Sequence, residues 1–298
     1  MSTSSATRPV LVAVGNPDRA EQLVRTAGDL ARASDSPVKI ASVVVKSHDS
    51  PFSVYSDETI IDQYAGNSRE LLDRAIAVAP DDVTVDDAQV VSHSVSEGIL
   101  AAVEQTNARA LVVGWQARGS RTDAVLGSTI DRLIERAPCD LYVERIGHEA
   151  NGVDSILVPV AGGPHVRPAV RVAAAIAARN DATVHLASVV DRETDSTAAG
   201  EYIDQARDAL EDATGPPVRS ESATYAGNDV ATELLAVAAD HDIIVFGATR
   251  QGALQRRLVG TIPRTVTRQT DKTVILARDG DAVGGSVLTQ IRQLLTPS

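Results

Sequence analysis

Short, unbroken apolar runs alternate with stretches of helical spacing along the whole chain. The first run, residues 9–14 (PVLVAV), is β-branched and uninterrupted, the pattern of a parallel strand buried on both faces. Residues 20–33 follow, with Leu23, Val24, Ala27, Leu30 and Ala31 on one helical face. A second opening run, residues 155–160 (SILVPV), leads into an alanine-rich helical stretch over 168–179. The same reading predicts strands at 38–45 and 183–190, helices at 62–78 and 197–213, and strands at 84–91 and 218–224. It continues with helices at 95–105 and 229–239, strands at 110–114 and 243–247, helices at 129–136 and 262–269, and closing strands at 140–144 and 273–277.

Each half therefore reads βαβαβαβαβ, which predicts an α/β fold with mostly parallel, doubly wound sheets, because parallel neighbours need a crossover helix. The halves repeat in register. Gly114 and Gly247 lie 133 residues apart, as do Gly127 and Gly260, whereas the opening strands lie 146 apart. The polar stretch 48–60 (HDSPFSVYSDETI) accounts for the difference as an inserted loop or lid in the first half. The linker falls around 147–154 (GHEANGVD), with a boundary near Gly152. The expected domains are residues 8–147 and 153–279, with 280–298 as a C-terminal tail whose segment 286–295 (SVLTQIRQLL) reads as an amphipathic docking helix or a frayed end.

Composition narrows the function. With 298 residues, 43% of them hydrophobic, the chain suits two ordinary globular domains. A formal net charge of -12 repels polyphosphate backbones and speaks against general nucleic-acid binding. The only lysines are Lys39, Lys46 and Lys272, while aspartate is abundant. That balance suits a halophilic protein, because hydrated carboxylates keep a surface soluble when molar salt screens charges over about 3 Å; an ordinary acidic protein is the alternative. Cys139 is the sole cysteine, so no intramolecular disulfide framework forms, and a cytoplasmic location is expected. The N-terminal residues lack a signal-peptide pattern and no run of eighteen apolar residues occurs, so membrane insertion is not expected.

The candidate chemistry lies where the fourth strand of each half ends. In half one, Gly114 is followed after two residues by Ala117, then after nine by Gly127 and Ser128; in half two the series is Gly247, Arg250, Gly260 and Thr261. A glycine ending a parallel strand allows a sharp turn, and a glycine before Ser or Thr exposes helix-start amides to an anion such as phosphate. Between Thr249 and Thr270 stand Arg250, Arg256, Arg257, Arg264 and Arg268 with no acid, so half two ranks above half one for phosphate. In half one, Asp123 opposes Arg118 and Arg121. The alternative is that these arginines are solvated and the glycines serve only turn geometry and packing.

Both halves resemble the universal stress protein nucleotide motif, G-x2-G-x9-G-[S/T], and the resemblance covers nearly the whole chain. The terminal pieces RAPCDLYVER and RQTDKTVILAR are similar to that family's last helix-to-strand passage. The nearest likeness is to stress-protein domains associated with haloarchaeal transporters. The resemblance implies two five-stranded sheets of strand order 3-2-1-4-5, paired as a pseudo-dimer within one chain. It also implies an adenine-nucleotide ligand (ATP, AMP or cyclic di-adenosine monophosphate) and a membrane transporter or other protein as partner. The sequence departs from the motif at Ala117 and Arg250, which replace the middle glycine, and at Gly15 and Ala161, where nucleotide-binding members carry a strand-end aspartate.

Standard catalytic motifs are missing: no GxxxxGK[ST], HExxH, GxSxG or GxGxxG after a first strand. The six histidines show no i, i+4 pairing, so neither an enzyme nor a metal site is expected. His165 reads as a turn residue or the edge of a ligand mouth, and Trp115 as a cover for a base or a packing residue. The expected function is a stress-response sensor or adaptor; the alternative is a ligand-free regulatory or interaction protein.

Overall fold

The computed structural model describes residues 7–46, 56–64, 66–115, 127–145, 152–191, 196–248 and 261–281. Half one contains β1 (Val10–Ala13), α1 (Pro17–Ala33), β2 (Val38–Val45), α2 (Asp57–Tyr64), α3 (Gly66–Ala77) and β3 (Val85–Ser92). It continues with α4 (Val95–Thr106), β4 (Ala110–Gly114), α5 (Ser128–Arg136) and β5 (Asp140–Arg145). Half two contains β6 (Ser155–Pro159), α6 (Val166–Asn180), β7 (Thr183–Asp191), α7 (Ser196–Glu211) and β8 (Arg219–Gly227). Its last elements are α8 (Val230–Ala238), β9 (Ile243–Gly247), α9 (Thr261–Gln269) and β10 (Thr273–Arg278). Where the sequence pattern gives one helix over 62–78, the chain forms α2 and α3, so part of the expected insertion is helical; residues 47–55 lie outside the described residues.

Local signals explain the ends of several helices. Pro17 opens α1, where its missing N–H costs no hydrogen bond. At α4 the Ser94 hydroxyl accepts from the Glu97 amide, and Asn107 closes the helix with a left-handed φ of 48°. Asp229 caps α8 by accepting from the Thr232 amide at 3.1 Å.

The strands form one ten-stranded sheet in the order β3-β2-β1-β4-β5-β10-β9-β6-β7-β8. Each half keeps the order 3-2-1-4-5, and every pairing within a half is parallel. The halves join through β5 and β10, which run antiparallel, with Glu144 opposite Ile275 and Tyr142 opposite Ala277. Thus the two sheets expected from sequence are continuous, and the amino end of one half's central strands meets the carboxyl end of the other's. One core layer carries Val12, Leu72, Val158 and Ile176, and the other Leu111, Leu133, Ile244 and Val266, so each layer spans both halves. At the free edges, β8 is mostly exposed and β3 half-buried with Asp86 and Asp87, which discourages further strand pairing.

The seam has a near-symmetric lock. Arg145, ending β5, donates to the carbonyls of Thr270 and Lys272 at 2.7 and 2.8 Å. Arg278, ending β10, donates to those of Ala137 and Cys139 at 2.6 and 2.9 Å. These residues correspond pairwise at the 133-residue offset. Each arginine thus satisfies the turn that enters the opposite half's last strand. Helices α1 and α6 pack across the same seam. Beneath them Glu144 is fully buried, one carboxylate oxygen accepting from Thr26 Oγ1 at 2.9 Å. Burial pushes Glu144 up to about 7, against the opposing hydrogen bonds from Thr26 and Gln22. Burial likewise pushes Asp29 up to about 7, opposed by the charges of Arg179 and Arg32.

Candidate functional site

The turns after β1 and after β4 lie at the same end of the half-one sheet, because β1 and β4 are adjacent parallel strands. Gly114 closes β4; a Cβ there would stand 3.0 Å from the Leu23 Cδ1 atom, so the glycine lets α1 lean over the strand end. Gly127 caps α5 with φ 85°, a left-handed backbone that favours glycine, and among the described residues nothing lies within 4 Å of a Cβ built on it. Ser128 begins α5, whose first amides face an anion-accepting direction. Ala117 and the charged residues Arg118, Arg121 and Asp123 lie outside the described residues.

At the carboxyl ends of β1 and β2 opens a pocket of about 490 Å³. Gly15 and Pro17 border it from the β1 turn, Ser42, Val43 and Val44 from β2, and Ser68, Leu71 and Arg74 from α3. Ser68 donates to Ser42 at 2.8 Å, and Ser42 itself is buried. Among the described residues nothing lies within 4 Å of a Cβ built on Gly15. Arg74 pairs with Glu70 at 2.9 Å on the rim. This combination of apolar wall, hydroxyl pair and rim charges was not singled out by sequence reasoning. The available signal was Ser42, one polar residue inside the apolar run VKIASVVV.

Half two arranges the equivalent end differently. Gly162 and Gly163 have φ of 74° and 92°, and a Cβ on Gly162 would stand 2.6 Å from the Tyr202 ring. Tyr202 of α7 therefore fills the space over the β6 turn beside Ala161. Gly247 closes β9 against the His165 backbone, where a Cβ would come within 2.8 Å of the carbonyl oxygen. His165 is buried and its Nδ1 accepts from the Asp279 amide at 3.0 Å, tying the start of α6 to the end of β10. Of the expected half-two contacts, Thr261 begins α9, whereas Arg250, Arg256, Arg257 and Gly260 lie outside the described residues. The two strand-end glycines, Gly114 and Gly247, are thus each explained by close helix packing.

Trp115 packs in the core beside the seam, its amide donating to the Glu144 carbonyl at 2.8 Å. Its indole Nε1 has no partner among the described residues. Burial pushes the Cys139 thiol up to about 12, which leaves it a poor nucleophile. Among the described residues no group of three His, Cys, Asp or Glu side chains could hold a metal ion. No helix there is long and apolar enough to cross a membrane.

Comparison with known proteins bears on the whole chain. A universal stress protein from Archaeoglobus fulgidus DSM 4304 is similar over 92% of this chain and 98% of its own, with a TM-score of 0.59 at 15% identity. A putative universal stress protein from Pseudomonas aeruginosa UCBPP-PA14 is similar over 97% and 98%, with a TM-score of 0.56 at 14% identity. The cytoplasmic domain of a prokaryotic cation chloride cotransporter reaches a TM-score of 0.56 over 92% and 96%, at 10% identity. At these identities the likeness is one of fold. No curated protein shows significant sequence similarity to the chain. The family model described as Universal stress protein family matches twice, over residues 6–145 and 152–278. A repeated motif, a repeated strand order and two family matches agree, and the chain belongs to the universal stress protein family as a tandem member.

Proposed function

We propose that this chain is a nucleotide-responsive stress-response sensor or adaptor and not a catalyst, with an adenine nucleotide held in half one. The observation that carries the reading is the pocket of about 490 Å³ at the carboxyl ends of β1 and β2. Its size suits a small-molecule site, and open α/β sheets bind ligands outside the carboxyl ends of their strands. Val44 and Leu71 would flank a flat base, the Ser42–Ser68 pair and Arg74 would offer polar contacts, and Gly127 with Ser128 would offer helix-start amides to phosphate. ATP, AMP and cyclic di-adenosine monophosphate are the ligands to try, and the cytoplasm is the compartment that supplies them. The half-two loop from Gly247 to Thr261, with Arg250 and Arg256, is the second proposed phosphate locus.

A ligand-free regulatory or interaction protein, acting on a membrane transporter or another partner, is the competing reading. Tyr202 over Gly162, and Gly15 and Ala161 in place of strand-end aspartates, favour it. Calorimetric titration of the three nucleotides into the wild type, Gly15→Phe and the double variant Arg250→Ala/Gly260→Val separates them. Binding abolished by Gly15→Phe supports half one, and binding abolished only by the double variant moves the site to half two. No heat with any nucleotide favours the ligand-free reading.

A further inference from the structure

The seam's pseudo-symmetry exposes a second, differently charged site. At one end of the seam a pocket of about 500 Å³ is bordered by Arg8 and Arg109 from half one and by Arg171, Gly280 and Asp281 from half two. It lies at the amino ends of β1 and β4, the opposite end of the half-one sheet from the pocket at Gly15. Arg109 is placed by its backbone, whose amide donates to the Pro9 carbonyl at 2.9 Å; in half two the Asp242 amide makes the same bond to Ser155 at 3.1 Å. By that correspondence Arg109 matches Asp242, and at the matching offset of 146 Arg8 matches Asp154 and Arg171 matches Arg25. Two of the three positions thus carry aspartates in one half and arginines in the other, while Arg171 and Arg25 keep the arginine in both. Arg8 and Arg109 are therefore not a requirement of the architecture.

Their partners leave charge unsatisfied. Arg171 pairs with Asp140, whose other oxygen accepts from the Gly280 amide. Among the described residues Arg8 donates to main-chain carbonyls, those of Asn107 and Ala108. Arg109 donates to the Ser34 carbonyl and the Ser36 hydroxyl. Neither Arg8 nor Arg109 has a carboxylate partner among the described residues, although the chain carries a net charge of -12. Burial, and then the facing charges of Arg171 and Arg8, hold Arg109 below its ordinary range, against the opposing pull of Tyr142 and of the Asp140 carboxylate, which also lines the pocket. Arg109 and Arg171 are half-buried and Arg8 is exposed; a half-buried cation facing other cations is stabilised by an anion between them, and guanidinium forks match the oxygens of a tetrahedral oxyanion.

We propose that Arg8, Arg109 and Arg171 form a binding site for a phosphate-type oxyanion at the junction of the two halves. Bound there, the anion contacts residues from both halves and strengthens their union. The site is independent of the nucleotide reading and stands or falls separately from it.

The test is calorimetric titration of inorganic phosphate, and in a second arm glycerol 3-phosphate, into the full-length chain at constant ionic strength. The wild type and Gly15→Phe should both bind one phosphate saturably. Arg109→Gln should weaken binding about tenfold or more, the loss of one charge-assisted hydrogen bond. Because Arg109 also holds the 34–36 turn, a second variant guards against misfolding. Asp281→Asn removes an exposed carboxylate from the rim and should tighten binding about two- to fivefold, which a purely structural role would not produce. Tighter binding of the ester identifies an organic phosphate as the occupant, and equal or weaker binding identifies free phosphate. Absence of saturable binding to the wild type, or binding unchanged in both Arg109→Gln and Asp281→Asn, overturns the proposal.

Discussion

Glu144→Gln should make the protein more stable in mild alkali. Glu144 is fully buried on β5 beneath α1, with only one of its two oxygens hydrogen-bonded among the described residues. Its proton is held to about 7, against an ordinary value of 4.5. The folded chain thus keeps a proton that the unfolded chain releases at lower pH. Stability from this group is present below the unfolded value and falls as pH rises from about 4.5 to about 7, then stays level. The full penalty at pH 8 is about 3 kcal/mol, and about 1 kcal/mol of it is present at pH 5. Glutamine occupies the same volume without the charge, and its carbonyl can still accept from Thr26. The variant should gain about 2–3 kcal/mol over the wild type at pH 8, raising Tm by roughly 5 °C, and should differ by under about 1 kcal/mol at pH 5. Urea unfolding followed by Trp115, the sole tryptophan and a buried one, reads both values. A variant destabilised equally at both pH values, or a wild-type minus variant difference that does not change with pH, would refute the reasoning. Asp29 shifts in the same direction, and its charge adds to the upward push on Glu144, so the difference carries their coupling as well.

Other perturbations follow from the geometry. Gly247→Ala should cost about 2–4 kcal/mol, because its Cβ meets the rigid His165 carbonyl, whereas Gly114→Ala meets only the movable end of Leu23 and should cost clearly less in the same urea assay. Gly127→Ala should cost about 1 kcal/mol through its positive φ, since no described residue lies within 4 Å of the added Cβ. Cys139 should resist thiol reagents in the folded chain at pH 8 and react fully in denaturant, as read by absorbance of a disulfide probe. A melting scan into molar potassium chloride should show Tm rising steeply if the acidic, lysine-poor surface reflects high-salt adaptation; indifference to salt would remove that inference.

The repeat of strand and helix was legible because both halves write their buried strands as unbroken β-branched runs, such as VLVA and SILVP. The extra helix α2 was not, since of its residues 57–61 only Ile60 is buried and the helix sits in a polar, turn-rich stretch. Gly114 and Gly247 end β4 and β9 where the sequence pattern puts the strand ends, but the Leu23 and His165 contacts that leave no room for a side chain there are made by chain distant in sequence. The arginine lock at Arg145 and Arg278 was hidden for the same reason: nothing local marks a surface-type residue as the partner of carbonyls in the other half. The pocket at Gly15 depends on β2 and α3 being brought together, which only the ladder and the helix packing determine.

Nucleotide binding at Gly15 is the central claim, and photolabelling with 8-azido-ATP followed by peptide mapping tests it most directly. The account predicts label in peptides containing Ser42–Val44 or Asn67–Arg74, removed by excess ATP and by Gly15→Phe. Label confined to half-two peptides, or label that excess ATP does not displace, would contradict it.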